Sequence, residues 1–360
     1  MIRPISTPTA PALTVLVHPR AAIAGRLSSL TALVRASSPV VPLSKHPIWL
    51  DVLRTALGHE VYALEAVVGG QTYGFLPLAY VSSMLFGRFL VSLPYLNTNG
   101  VVAESPDVQS LLVSRAVTLA DELNVRYLEL RHERPIDHPD LNVAMTSKVH
   151  MRLPLPHSPE QLWKGFNPKV RNQVRKGEKH DFAVAWGGAE LLDPFYEVLC
   201  ANMRDLGSPV YGKVLFRQIL AAFPGTAEIC LLRGGEKPVA AAMLLHGWGV
   251  AEVPTASALR EYNSTCVNML MYWKLLERSI ARGHEVFDFG RSTMDGPTFK
   301  FKKQWGAQPH PGVWQYATKE GAASEMRPDN PRYQRAIRLW QRLPVRLTRY
   351  LGPAIVRGIP

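Results

Sequence analysis

Two stretches far apart in the chain follow one plan. LVSRAVTLADELNVRYLELR runs from Leu112 to Arg131, and MYWKLLERSIARGHEVFDFGR runs from Met271 to Arg291. Each reads as an apolar-periodic helix, a short polar turn and a strand that carries an acid, Glu129 or Asp288, just ahead of an arginine. Such repetition points to two copies of one α/β unit. With 360 residues, 47% of them hydrophobic, the chain can pack two cores.

The rest of the pattern fits that frame. From Pro47 the periodicity gives a helix over HPIWLDVLRTAL, a strand over EVYALEAVV, and two strands within YGFLPLAYVSSMLFGRFLVSLPYL, before the first repeated unit. The second half opens on a helix over PEQLWKGFNPKVRNQVRKGEKH. A strand FAVAW, helices over LLDPFYEVLCANM and VLFRQILAAF, and strands AEICLLR, PVAAAMLLHG and VAEVPTASA then lead to the second repeated unit. RGGEKP reads as a hairpin turn. The expected division is a lead-in at 1–46, a first domain at 47–155, a second at 156–322 and a tail at 323–360. The start lacks a charged n-region followed by an apolar h-region, so it reads as a mobile lead-in rather than a signal peptide.

Residues 73–96 are apolar enough to raise the question of a membrane span, but Pro77, Pro94 and Arg88 interrupt them, and two strands about a Leu85-Phe86-Gly87 turn are expected instead. Cys200, Cys230 and Cys266 lie far apart with no CxxC spacing. Neither a disulfide framework nor a metal site is expected, and a reducing cytoplasm fits. A formal charge of +12 favours an anionic partner. Part of that charge sits in the tail, where Arg335, Arg338, Arg342, Arg346 and Arg349 recur at helical spacing with no Asp, Glu or Lys from Arg332 onward. This is the composition of an interfacial helix on anionic lipid, kinked or split at Pro344; a basic helix packed on the protein would look the same.

Candidate chemistry gathers in FDFGRSTMDGPTFKFKKQWGA, Phe287 to Ala307. Gly290 at a strand end permits close backbone approach, so Arg291 and Ser292 would project from the sheet rim, and Asp295-Gly296 turns the chain. Read as a strand, TFKFKK puts Lys300 and Lys302 on one face and Phe299, Phe301 and Lys303 on the other. That ridge could clamp an anionic acyl donor while a lysine offsets charge developing on a carbonyl oxygen; edge lysines that merely deter aggregation would look alike. Arg171, Arg175 and Lys179 line one helix face, as a phosphate site or as a solvated surface. There is no GxSxG, HExxH or Walker loop. Direct transfer to an amine needs no covalent intermediate, only alignment, oxyanion stabilisation and a proton acceptor, for which Asp288, Asp295, Glu252 and His246 are candidates.

FKKQWGA resembles the FKxxFG-type signature of the Fem family of peptidoglycan-bridge aminoacyltransferases, with Trp305 in place of the usual Phe. VRNQVRKGEKHDFAV resembles the basic helix that opens that family's second domain, and YNSTCVNMLMYWKLLERSIARGHEVFDFGRS resembles its helix and acid-bearing strand. The DFGRST and FKFKKQWGA runs are similar to the FemAB-related group of exosortase (PEP-CTERM) exopolysaccharide systems. The likeness covers Pro47 to Tyr316.

It implies an α/β (α+β) fold of tandem GNAT-like acyltransferase domains, with mixed sheets flanked by helices. It also implies transfer of an acyl or aminoacyl group to an amine-bearing envelope or polysaccharide precursor. By the same likeness Lys302 steadies the charged intermediate beside Phe301, and Asp288 and Gly290 are the strand-end acid and glycine. Arg291, Ser292, Lys300, Arg171, Arg175 and Trp305 complete the expected substrate-binding set. The chain departs from the peptidoglycan enzymes by lacking their coiled-coil arm and by its Arg-rich tail. The pyrophosphate pattern of acetyl-CoA enzymes is not evident. The donor is thus left between acyl-CoA and aminoacyl-tRNA, the expected place is the cytoplasm or the inner-membrane surface, and a non-catalytic membrane-associated scaffold of the same fold stays open.

Overall fold

A computed structural model describes residues 12–84, 86–318 and 331–359. Local sequence starts several helices in one way: Ser105, Ser158 and Asn167 each precede a proline and accept the N–H three residues on, at 3.3, 3.3 and 3.0 Å. The cap takes a donor that the helix leaves unpaired, and proline's missing N–H costs nothing at the first helical position.

The helices are α1 (Arg20–Ile23), α2 (Leu27–Ala36), α3 (Trp49–Leu57), α4 (Pro106–Glu122), α5 (Pro159–Gly165), α6 (Pro168–Glu178), α7 (Leu192–Leu206), α8 (Lys213–Ala222), α9 (Val267–Ala281), α10 (Pro297–Lys303), α11 (Pro331–Arg342) and α12 (Val345–Val356). The strands are β1 (Thr14–Pro19), β2 (Glu60–Val68), β3 (Gln71–Ser83), β4 (Gly87–Val91), β5 (Val102–Ala103), β6 (Tyr127–His132), β7 (Val143–Pro154), β8 (Ala183–Gly187), β9 (Ala227–Gly234), β10 (Lys237–Gly247), β11 (Val250–Ala258), β12 (Val286–Thr293) and β13 (Gln308–Thr318).

All of these strands join one mixed sheet, in the order β1-β2-β3-β4-β6-β13-β7-β12-β11-β10-β9-β8, with β5 beside β3. Each repeated unit closes a short parallel ladder: β4 with β6 in the first half, β11 with β12 in the second. The next strand then crosses over. β7 follows β6 in the chain but pairs with β12, and β13 follows the second unit but pairs with β6. The two exchanged strands pair with each other at the centre. Helices flank the sheet, and one core cluster draws Leu53, Phe75, Phe195, Phe216 and Met243 from both halves.

Four expectations need correction. TFKFKK is helix α10, not a strand: Gly296 and Pro297 open it, and Phe299 and Lys302, three apart, are its buried residues. The single helix read over 159–180 is two, because Pro168 forces Asn167 into extended backbone, ψ 157°. From Thr14 the supposed lead-in belongs to the fold, with β1 on β2 and Leu30 and Val34 of α2 fully buried; residues 1–11 lie outside the described residues. Finally, β7, assigned to 47–155, completes the second half's ladder, and β13, assigned to 156–322, completes the first half's.

The apolar stretch at 73–96 does contain two antiparallel strands, and no described helix is long and apolar enough to cross a membrane. The tail divides at Pro344 into α11 and α12 and packs on the protein: Gly352 lies against Val210, and Gly207 against Ile337.

Candidate active site

The β11·β12 ladder is short. Val250, Ala251 and Glu252 face Val286, Phe287 and Asp288; the register then breaks and β12 continues on β7 from Arg291. The break falls at Gly290, whose φ of +76° is left-handed backbone that favours glycine. An added Cβ there would also come within 3.3 Å of the Asn97 amide.

Register places Glu252, Asp288 and Arg152 in one row across β11, β12 and β7. Asp288 accepts the Gly290 N–H at 2.7 Å and Arg152 Nε at 2.9 Å. Arg152 turns its two terminal nitrogens to Glu133, at 2.8 and 2.7 Å. Burial works against the Glu133 anion, but this bidentate contact and the charge of Lys45 hold its carboxyl at about 2. His150, 1% exposed, lies in the field of Asp288 and Glu133, and burial lowers its pKa.

Glu252 ends the row. Ser44 donates to it through its backbone N–H at 2.9 Å and its hydroxyl at 2.8 Å, yet burial and the neighbouring Asp288 push the carboxyl up to about 7. Lys302 reaches the same place from α10. Its Nζ donates to the carbonyls of Gly290 at 3.0 Å and Arg291 at 2.9 Å, clamping the backbone at the register break. Burial depresses the ammonium to about 8, with Asp288 holding part of the charge. Burial thus shifts both groups toward neutrality, and Asp288 acts on each of them, as general acid–base chemistry near neutral pH requires.

Beyond the break, Arg291 lies 4.3 Å from the centre of the Trp314 ring and Arg131 lies 4.1 Å from it. Arg131 is satisfied: Glu129 accepts its Nε at 2.6 Å and the Leu96 carbonyl its Nη1 at 2.7 Å. Arg291 is exposed and has no carboxylate partner among the described residues.

Of the residues singled out in the sequence, the structure gathers Asp288, Gly290, Arg291, Lys302 and Glu252. Ser292 lies beside them, 3% exposed with its hydroxyl unpartnered. Phe301 packs behind the site on Tyr272, ring centroids 5.1 Å apart. Trp305, expected to bind substrate, is 1% exposed and packs on Phe166; it is core and offers a ligand no surface. Lys300 is exposed on α10 rather than sharing a face with Lys302.

Arg171 and Arg175 stay outside the cluster, because α6 packs on α9 and Arg175 covers Trp163 at 5.6 Å. His246 belongs to a separate network through Glu228 at 2.8 Å, and Asp295 is exposed in its turn. Sequence reasoning missed Ser44, Arg131, Glu133, Arg152 and Trp314. Strand pairing brings Arg131, Arg152 and Trp314 here, Glu133 follows at the end of β6, and Ser44 arrives from a helical turn at Leu43–Lys45; no local spacing announces any of them.

An acetyltransferase (GNAT) domain family matches residues 166–303. Among solved structures, the chain is similar to FemX, with TM-score 0.64 and 14% identity over 83% of this chain and 97% of that one. It is similar to the C-terminal domain of a putative lysylphosphatidylglycerol synthetase from Agrobacterium fabrum, with TM-score 0.55 and 12% identity over 84% and 95%. It is similar also to a tandem GNAT protein of the clavulanic acid biosynthesis pathway, with TM-score 0.54 and 13% identity over 85% and 98%. At these identities the likeness is one of fold: a mixed α/β architecture shared with GNAT-like proteins, some of them tandem. No curated protein matches by sequence.

Proposed function

We propose that the protein is an N-acyltransferase that moves an acyl or aminoacyl group onto an amine where β11 and β12 part. The observation that carries this reading is the row of Glu252, Asp288 and Arg152 across three strands where β11 and β12 part, with Lys302 clamping the diverging backbone at Gly290 and Arg291. Glu252 accepts the proton that the attacking amine must lose. Asp288 and Arg152 fix each other and the strand. Lys302 fixes the carbonyls of residues 290 and 291, and its remaining N–H is available to the oxygen on which charge develops. Phe301 buttresses α10 from behind. Arg291, free of a carboxylate, pairs with an anionic part of the donor, with Ser292 and Lys300 nearby.

The catalytic half is the one built from 156–322, completed by β7. The donor is an acyl-CoA or an aminoacyl-tRNA, and salt separates them: a tRNA donor loses affinity steeply as salt rises because each phosphate contact releases counterions. The acceptor is an amine-bearing envelope or exopolysaccharide precursor, as in the exosortase-linked group that the sequence resembles. The protein works in the cytoplasm, meeting an anionic inner membrane through its tail. Arg335, Arg338, Arg342 and Arg346 are exposed there together with Leu339, Leu347, Tyr350 and Leu351.

The test is acyl transfer from a panel of acyl-CoAs and aminoacyl-tRNAs to amine acceptors, by wild type and Glu252→Gln. A loss of turnover of about 10²-fold or more is expected, the usual worth of a general base. Unchanged kcat/KM in a folded variant removes Glu252 from the chemistry.

A further inference from the structure

Beyond Val91, where the β4·β6 ladder ends, residues 92–101 form the loop that leads to β5. Two of them hold left-handed backbone without being glycine, Leu93 at φ 54° and Tyr95 at φ 71°. Such backbone is strained and persists only where its surroundings impose it. Here they do so several times over. Arg131 donates from Nη1 to the Leu96 carbonyl at 2.7 Å, and its own carbonyl accepts the Asn99 N–H at 3.1 Å. The Tyr95 hydroxyl donates to the Arg357 carbonyl at 2.8 Å. The Asn99 side-chain amide donates to the Ser44 carbonyl, and Ser44 in turn donates twice to Glu252. A loop of the first half is thus fixed against the proposed base of the second.

One polar side chain of this loop is left over. Asn97 is half-buried, and its amide has no hydrogen-bond partner among the described residues. It meets the place where β11 and β12 part: a Cβ on Gly290 would lie 3.3 Å from Asn97 Nδ2 and 3.8 Å from the Val253 carbonyl oxygen. There β11 leaves its ladder with β12 after Glu252, and it carries an extra residue between Glu252 and Thr255 opposite Leu245 and Met243. Because residue 290 is glycine, a substrate atom can take that space within reach of the Asn97 amide.

We infer that Asn97 is a catalytic residue lent by the first half, its amide N–H donating to the carbonyl oxygen of the acyl group under transfer. The role rests on the acyl-transfer reading. In that reaction the amine nitrogen bonds to the carbonyl carbon, and the bond from this carbon to the donor's sulfur or oxygen breaks. The broken bond's electron pair leaves with that atom, and the proton lost by the amine passes through Glu252 to it. Between bond making and bond breaking the carbonyl oxygen carries the negative charge. Asn97 gives it a second donor beside the one assigned to Lys302, and a preorganised side-chain amide is among the groups that serve there. An amide also keeps its N–H at every pH, whereas Glu252 and Lys302 gain or lose protons.

Turnover with the panel of acyl-CoAs and aminoacyl-tRNAs is compared in wild type, Asn97→Ala and Asn97→Asp, with thermal melts to show that each variant is folded. Asn97→Ala should lower kcat by about 10²-fold or more, the usual loss on removing one such donor, with little change in the donor's KM. Its pH profile should keep the wild-type limbs, because no titrating group is removed. Asn97→Asp keeps the shape of the side chain but puts an acceptor where the donor was, so it should lose at least as much; a residue that only packs would be rescued by it.

Wild-type kcat in a folded Asn97→Ala, a rise in KM alone, or full activity in Asn97→Asp overturns the role and leaves the acyl-transfer reading standing. If wild type transfers no acyl group from any donor of the panel, that reading falls, and this role falls with it.

Discussion

A carboxyl raised to about 7 and an ammonium lowered to about 8, both in the field of Asp288, make the proposed reaction pH-sensitive near neutrality. If Glu252 must be ionised to take a proton and Lys302 must stay charged, kcat/KM rises through pH 7 and falls above pH 8. In Glu252→Gln the acid limb should vanish. A profile flat from pH 6 to 9 would show that neither group titrates in the reaction. Lys302 acts first through position, because two backbone carbonyls depend on its Nζ. Lys302→Met should lower kcat by about 10²-fold and flatten the alkaline limb, an effect that lost backbone clamping alone would not produce.

Glu252 also carries a stability signature of definite sign. Below pH ~4.5 its carboxyl is protonated in folded and unfolded chains and contributes nothing. Between pH ~4.5 and 7 the unfolded chain ionises while the folded one keeps its proton, so this group lowers stability by up to about 1.4 kcal/mol per pH unit. Above pH 7 the penalty is complete. Relative to wild type, Glu252→Gln should therefore gain on the order of 2 kcal/mol on going from pH 5 to pH 8, discounted for partial solvent access. Equal differences in Tm at the two pH values would contradict the placement of this carboxyl.

Elements that obey one period over many residues were readable in the string. The helix α9 and strand β12 were, because apolar residues recur at the right spacing and glycines and polar turns bound them. The seven residues of α10 were not. Alternating Phe and Lys imitates a period of two, and only the Gly-Pro entry signals the helix that buries Phe299 and Lys302 together. The helix moves Lys302 from a strand ridge facing the donor to a buried clamp on the backbone, and with it the picture of the site. Asp288, Gly290 and Lys302 were legible because they share one local stretch. Arg152 and Glu133 were not, because strand exchange alone brings them to Asp288.

The tail shows the same limit. Its spacing gave helices and a break at Pro344, but not which face would pack. Thr348, Gly352 and Val356 of α12 turn inward, while Leu347, Tyr350 (80% exposed) and Leu351 (38% exposed) turn out among arginines. Sedimentation with phosphatidylglycerol vesicles, and not with phosphatidylcholine vesicles, is expected, weakened by salt and by Leu347→Ser with Tyr350→Ser. Equal binding to both lipids, or none, would assign these helices to packing alone.

At the scale of the whole molecule, exchange of β7 and β13 decides whether two repeated units are two independent domains. Each half lends the other a central strand, the lent strands pair with each other, and one apolar cluster takes residues from both. Unfolding either half alone would strip β6 or β12 of a partner along its length and expose an unprotected edge, a costly state prone to aggregation. Cutting at the boundary that sequence periodicity suggests, after residue 155, would keep β7 without β12 or β13 and leave β6 without β13. The fragment 1–155 should therefore be insoluble or lack a cooperative melt, whereas the full chain should unfold in one transition with calorimetric and van't Hoff enthalpies in agreement. Two separate transitions in the full chain, or a fragment that melts cooperatively, would mean that the shared strands do not couple the halves. The candidate site adds a reason to expect coupling. Its acid lies on β12, its arginine on the lent strand β7, and the carboxylate that locks that arginine just past the end of β6. The row that ends in Glu252 can thus form only when both halves are folded together, so activity and the single melting transition should be lost at the same denaturant concentration.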